Sequence, residues 1–238
     1  MTFSTSTLDY IKQQAEKAKE IARALGAPDV TAQGILGAIG EEYESLGIEE
    51  VVQKARVNSY SHEEIKANYE KVAADAQLLK DVVNANKFDK GIIKWNNPAL
   101  NDVGPGNIKI MTAIELLNNY NNSNPVADPL GIKGYNQDYK ALVGDLSDEN
   151  NVLSLKFAAL MLQEAQQFYS TRASSAWSTY DQDTQDAVLI TYYNNGKEWA
   201  TERADKFAAE SPGALYAPKP GGGVSGGEVY LENAEQIK

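Results

Sequence analysis

Cysteine is absent from the 238 residues, so neither disulfides nor thiolate metal sites nor a cysteine nucleophile can contribute to fold or chemistry. That absence fits an oxidising and a reducing compartment equally. Histidine occurs once, as His62, which excludes a two-histidine metal site and any Ser-His-Asp triad built elsewhere. Carboxylates are left as the proton carriers. Basic residues are in deficit: the formal net charge is -11, which repels phosphate backbones and anionic lipid and argues against nucleic-acid and membrane partners. No apolar run approaches a membrane span, and the opening MTFSTSTLDYIKQQ lacks the charged-then-apolar layout of a secretory signal. Phosphate-loop, zinc and calcium-loop patterns are also missing, and no cofactor is expected. The Asp181-Gln182-Asp183 step is explained more simply by helix capping than by a metal.

What is present suffices for one compact domain, since 42% of the side chains are hydrophobic and single domains reach roughly 200–250 residues. Leu8, Ile11, Ala15, Ala18, Ala22 and Leu25 follow Thr7 at helical spacing, and Gly26 with Pro28 supplies a stop. A second helix begins near Thr31 and carries Ile35, Ala38, Ile39, Glu42, Tyr43 and Leu46 along one stripe. Ser61 and Glu64 form a capping-box pattern ahead of one long helix through Val83, with His62 solvated in its first turn. From Phe88 to Met111 the helical period fails. Gly91 to Trp95 and Asn107 to Met111 favour strand, which predicts a small β-hairpin or irregular lobe.

Thr112 and Glu115 predict the start of a short helix ending in the Asn-rich run 118–124, and residues 125–146 read as a long surface loop. Ser147 starts a helix whose interior is apolar nearly all round, the expected central one. Asp181 or Asp183 caps a further helix to Asn195, closed by Gly196, and another follows to about Glu210. The predicted organisation is a mainly α domain over 1–210, then a Gly/Pro-rich linker and acidic tail over 211–238.

Glu42 occupies a position where the helical period calls for an apolar residue, among Ile35, Ala38, Ile39, Tyr43 and Leu46. Partial burial among such neighbours raises a carboxyl pKa, which lets a Glu hold a proton near neutral pH and deliver it to a leaving oxygen. On periodicity alone, Glu42 at a wet helix edge or paired with an arginine fits as well. Glu41 and Glu44 point off the stripe.

Four blocks in order over residues 30–196 resemble the lysozyme-like superfamily of lytic transglycosylases and goose-type lysozymes. Val30-TAQGILGAIGE-Glu42 is similar to the block in which a helix ends on the catalytic glutamate, with Tyr43 replacing the usual Ser. Gly104-Pro105-Gly106-Asn107-Ile108-Lys109-Ile110-Met111-Thr112-Ala113 is similar to the G-x-G-Q-x-x-x-x-T-A block, with Asn107 in place of Gln. Asn151-Val152 and the apolar helix after it resemble the third block more loosely. Thr191-Tyr192-Tyr193-Asn194-Asn195-Gly196 resembles the A-Y-N-x-G block, whose tyrosine reaches toward the catalytic glutamate. The helix after Ser61 then reads as an insertion.

The resemblance implies a lysozyme-like helical fold and a glycosidase acting on peptidoglycan glycan strands. It assigns Glu42 as the catalytic acid, and Gly106, Asn107, Tyr193 and Asn194 as substrate-binding residues. Asp102 is the candidate for a second carboxylate, or else only caps the Gly104-Pro105-Gly106 turn; Glu44 is a weaker candidate. Trp95, Tyr120, Tyr192 and Tyr193 fall near cleft segments, with only Tyr193 assigned a site role, and Trp177 and Trp199 are taken as packing. The leading expectation is a muramidase hydrolysing the β-1,4 bond between N-acetylmuramic acid and N-acetylglucosamine. The alternatives are a lytic transglycosylase forming anhydro sugars and a non-catalytic wall-binding module. Without a signal, action in the periplasm or cell wall implies delivery by a secretion system or as part of a larger protein. An antibacterial effector toxin of that kind implies a dedicated immunity protein as partner.

Overall fold

A computed structural model describes residues 2–45, 59–85, 87–207, 213–216 and 224–238. They are mainly helical: α1 (Thr5–Leu25), α2 (Ala32–Ser45), α3 (His62–Ala74), α4 (Ala76–Asn84), α5 (Lys87–Asn96), β1 (Asp102–Val103), β2 (Ile108–Lys109), α6 (Ile110–Ser123), α7 (Tyr139–Leu146), α8 (Leu153–Arg172), α9 (Ser174–Trp177), α10 (Gln182–Phe207), α11 (Gly213–Tyr216) and α12 (Gly226–Ile237). The chain divides into two compact units, Met1–Ser45 with Leu155–Lys238, and Leu46–Ser154.

In the first unit, Ser4 rather than Thr7 caps α1, its hydroxyl accepting from the Thr7 amide at 3.3 Å. Gly26 ends the helix as expected, in the left-handed region at φ 66°. Thr31 opens α2 by accepting from the Gly34 amide at 2.8 Å. The α2 stripe is buried through Ile35, Leu36, Ala38 and Ile39. Gly37 permits a close approach: a Cβ there would lie 2.5 Å from the Tyr230 ring and 2.8 Å from Ile190, so only glycine lets α2 pack this tightly against α10 and α12. In α8, Leu155, Phe157, Ala158, Ala159, Leu160, Leu162 and Ala165 are all buried, as an apolar circumference predicts. That helix starts at Leu153, because Ser147 caps the end of α7 instead. Asp181, not Asp183, caps α10 by accepting from the Thr184 amide at 2.8 Å. The helical run is kinked at Gly196 (φ 80°, ψ 172°).

Residues 224–238 are not an acidic tail. Ser225 and Glu228 form a complete capping box, and Val229, Tyr230, Asn233, Ala234 and Ile237 of α12 are buried. Each large apolar side chain so buried stabilises by about 1.5–3 kcal/mol, and the Asn233 side chain accepts from the Phe3 amide at 2.8 Å. Of the expected linker, 211–212 and 217–223 lie outside the described residues, as do 208–210 before it.

In the second unit the Ser61–Glu64 capping box is complete. The helix it opens is interrupted at Asp75 (φ -111°, ψ 81°), whose carboxylate accepts from the Leu78 amide at 2.9 Å and starts α4. His62 is not simply solvated: its Nδ1 accepts from the Tyr139 amide at 2.9 Å, and its ring lies 5.0 Å from the Tyr139 ring. Gly91 to Trp95 belong to α5 rather than to a strand. Ile93 packs on a core of Val72, Val82, Leu100 and Met111. The helix's last carbonyls are satisfied by side-chain amides, Asn97 donating to the Ile93 oxygen at 2.8 Å and Asn101 to the Lys94 oxygen at 3.0 Å. The hairpin is the two-residue antiparallel pair β1–β2, with Asp102 opposite Lys109.

α6 begins at Ile110, so Thr112 is not its cap, and it continues through most of the Asn-rich run to Ser123. Residues 125–146 are also more than a surface loop. Asp128 accepts from the Ile132 and Lys133 amides and from the Tyr120 hydroxyl, and α7 buries Leu142, Val143 and Leu146.

Candidate active site

The last turn and a half of α2 carries two consecutive carboxylates that converge on one amide. Asn194 Nδ2 donates to Glu42 Oε1 at 2.6 Å and to Glu41 Oε2 at 2.5 Å. Residues of the first and last sequence blocks, 152 positions apart, thus meet within the first unit. Glu41 departs from its expected place: consecutive helical residues leave the axis 100° apart, yet both long side chains bend to the same amide. Glu41 and Glu42 are also within hydrogen-bonding reach of each other. Burial pushes the Glu41 carboxyl above the ordinary glutamate range, and the bonds to Asn194 and Glu42 oppose this without cancelling it.

Asn194 precedes the Gly196 kink and is packed from the other side by α12. A Cβ on Gly226 would lie 2.0 Å from Asn194 Oδ1, so the first residue of α12 must be glycine for the amide to keep this place. Glu44, the weaker candidate, has a structural role. Its Oε2 accepts from the Ser4 amide at 2.9 Å, the Ser4 hydroxyl at 2.8 Å and the Thr7 hydroxyl at 2.6 Å. Burial raises its pKa, but these bonds outweigh it and leave Glu44 below the ordinary range.

Tyr193 is buried, and its neighbour Asn194 bonds Glu42. Tyr192 donates its hydroxyl to Glu164 at 2.9 Å. Tyr120 anchors the loop after α6, donating to Asp128 at 3.0 Å and accepting from the Leu130 amide at 2.9 Å. Trp177 and Trp199 are buried as expected, Trp177 stacked on Tyr169 and Trp199 beneath the Arg203 guanidinium. The Trp95 side chain lies outside the described residues.

Asp102, Gly106 and Asn107 come together in the hairpin of the second unit. The Asp102 carboxylate is ion-paired with Lys94. Gly106 is buried and Asn107 exposed. The Asn107 amide donates to the Gly104 oxygen at 2.8 Å, and Asn107 adopts φ 47°. The left-handed region favours Asn over longer side chains, which gives the Gln-to-Asn departure a backbone reason.

Asp186 was not singled out in the sequence. It is 1% exposed on α10, accepting from Thr31 Oγ1 at 2.8 Å, Tyr230 OH at 3.1 Å and Gln182 Nε2 at 3.2 Å. Burial pushes its carboxyl up to about 7 against the pull of these three neutral donors, and the charge of Asp183 adds to the rise. Its signal was an acidic residue directly before the apolar run Ala187–Ile190.

No protein-family model matches this chain, and no curated protein and no solved structure matches it. No described helix is long and apolar enough to cross a membrane.

Proposed function

We propose that the chain is a peptidoglycan muramidase with a lysozyme-like fold, in which Glu42 protonates the leaving oxygen of the β-1,4 bond between N-acetylmuramic acid and N-acetylglucosamine. The observation that carries this reading is the 2.6 Å bond from Asn194 to Glu42. It brings the glutamate at the end of one helix to the Y-N-x-G-like segment, whose tyrosine the resemblance expects near the glutamate. Burial holds the adjacent Glu41 carboxyl above the ordinary glutamate range, and an acid beside it is in the kind of setting that general-acid catalysis uses. The resemblance assigns sugar binding to Gly106, Asn107, Tyr193 and Asn194. An antibacterial effector or a wall-active part of a larger protein is the setting this activity suits, with an immunity protein as its natural partner.

The Asp102–Lys94 ion pair favours a second reading of the outcome. An aspartate already neutralised by a lysine is a weaker nucleophile or base, and a sugar whose own acetamido group assists needs neither. The product is then the anhydro sugar of a lytic transglycosylase. Digestion of purified sacculi followed by mass spectrometry separates the two outcomes, since the anhydro product is lighter by one water. Glu42→Gln is expected to abolish release of soluble fragments while circular dichroism stays native, because Gln keeps the side chain's shape and its carbonyl can still accept from Asn194. Wild-type protein that binds sacculi and releases nothing refutes the enzymatic reading in favour of a binding module.

A further inference from the structure

Resting on that reading, we propose that Glu41 is the positioning partner of Glu42: the two carboxyls share one proton across the Asn194 bridge. The pair, rather than Asp102, then supplies the negative charge that balances the cationic sugar. The geometry is specific. One Asn194 NH2 group spends one hydrogen on each carboxyl, at 2.5 and 2.6 Å, which holds the two side chains together instead of letting their charges part. Two carboxylates held this closely cannot both ionise without mutual repulsion, so one proton stays on the pair. Burial of Glu41 acts in the same direction. Asp102 has a cation of its own in Lys94.

During cleavage the C1–O bond breaks with its electron pair moving to the leaving oxygen, which takes the shared proton from Glu42. Both carboxylates are then ionised beside the positive charge developing at C1, so their repulsion is offset when the transition state forms. Water adds hydroxide to C1 and returns its other proton to the pair. Glu41 contacts no reacting atom in this scheme. It acts by setting when Glu42 releases and regains its proton.

The test is the pH profile of fragment release together with carbon-13 NMR of the glutamate carboxyls. In wild-type protein the Glu41 and Glu42 resonances should each move in two shared steps, whereas independent groups move once each. In Glu41→Gln, kcat should fall with KM retained, and the alkaline limb of the profile should move to lower pH by about one unit or more, because the neighbouring charge that held the last proton is gone. An unmoved limb, or single independent titrations in the wild type, overturns the sharing. The NMR measurement needs neither a variant nor turnover. If wild-type protein cleaves no peptidoglycan, the proposed function fails while the titration still decides whether the proton is shared.

Discussion

Replacing Asp186 with asparagine isolates the most buried acid in the first unit. The unfolded aspartate titrates at its ordinary 3.8, and the folded one is pushed up to about 7. Between those values the native state holds a proton that the unfolded state has lost. Stability is therefore fully present below about pH 4 and is lost as pH rises through about 7, flattening beyond. The gap of about three pH units, at about 1.36 kcal/mol each, amounts to about 4 kcal/mol, a large share of the roughly 5–15 kcal/mol that holds a domain together. Asparagine keeps the shape. Gln182 can still donate to its carbonyl oxygen, and the Thr31 and Tyr230 hydroxyls can rotate to accept from its amide. Urea unfolding of both proteins from pH 4 to pH 8 should show the wild-type advantage over Asp186→Asn shrinking by about 4 kcal/mol across that window. Parallel stability curves would refute the reasoning, because they would mean that Asp186 titrates alike in the folded and unfolded chains.

Gly226→Ala places a methyl 2.0 Å from Asn194 Oδ1 and should displace the amide from both glutamates. Circular dichroism is expected to stay native while sacculus digestion falls at least about 10-fold, the low end of what a misplaced catalytic group costs. His62→Ala removes the acceptor for the Tyr139 amide and should cost about 1–2 kcal/mol in urea denaturation; a solvated first-turn histidine would cost within about 0.5 kcal/mol of nothing.

Local signals in the sequence foretold the elements whose caps and periods are self-contained. Ser61 and Glu64 predicted their capping box, Gly26 the end of α1, and the uninterrupted apolar run of α8 its burial. The misreadings arose where a remote partner overrides local preference. Ile92 and Ile93 favour strand, yet a neighbouring core and two asparagine caps make the segment helical. α12 did carry a readable pattern, with Ser225 and Glu228 ahead of Val229, Tyr230, Ala234 and Ile237. The Gly-rich run just before it has linker composition and masks that signal.

By itself, the sequence determined that the chain is mainly helical, that no cysteine chemistry and no two-histidine site is available, and that Glu42 interrupts an apolar stripe. These follow from spacing along one helix and from residue types that are simply missing. Only the tertiary structure decided that Glu41 joins Glu42, that Asn194 donates to both, that Asp102 pairs with Lys94, and that Asp186 is sealed among three helices. Each of those depends on chain segments brought together across helix faces, and the free energy of a carboxyl is set by the groups that surround it in space, which no stretch of neighbouring letters contains.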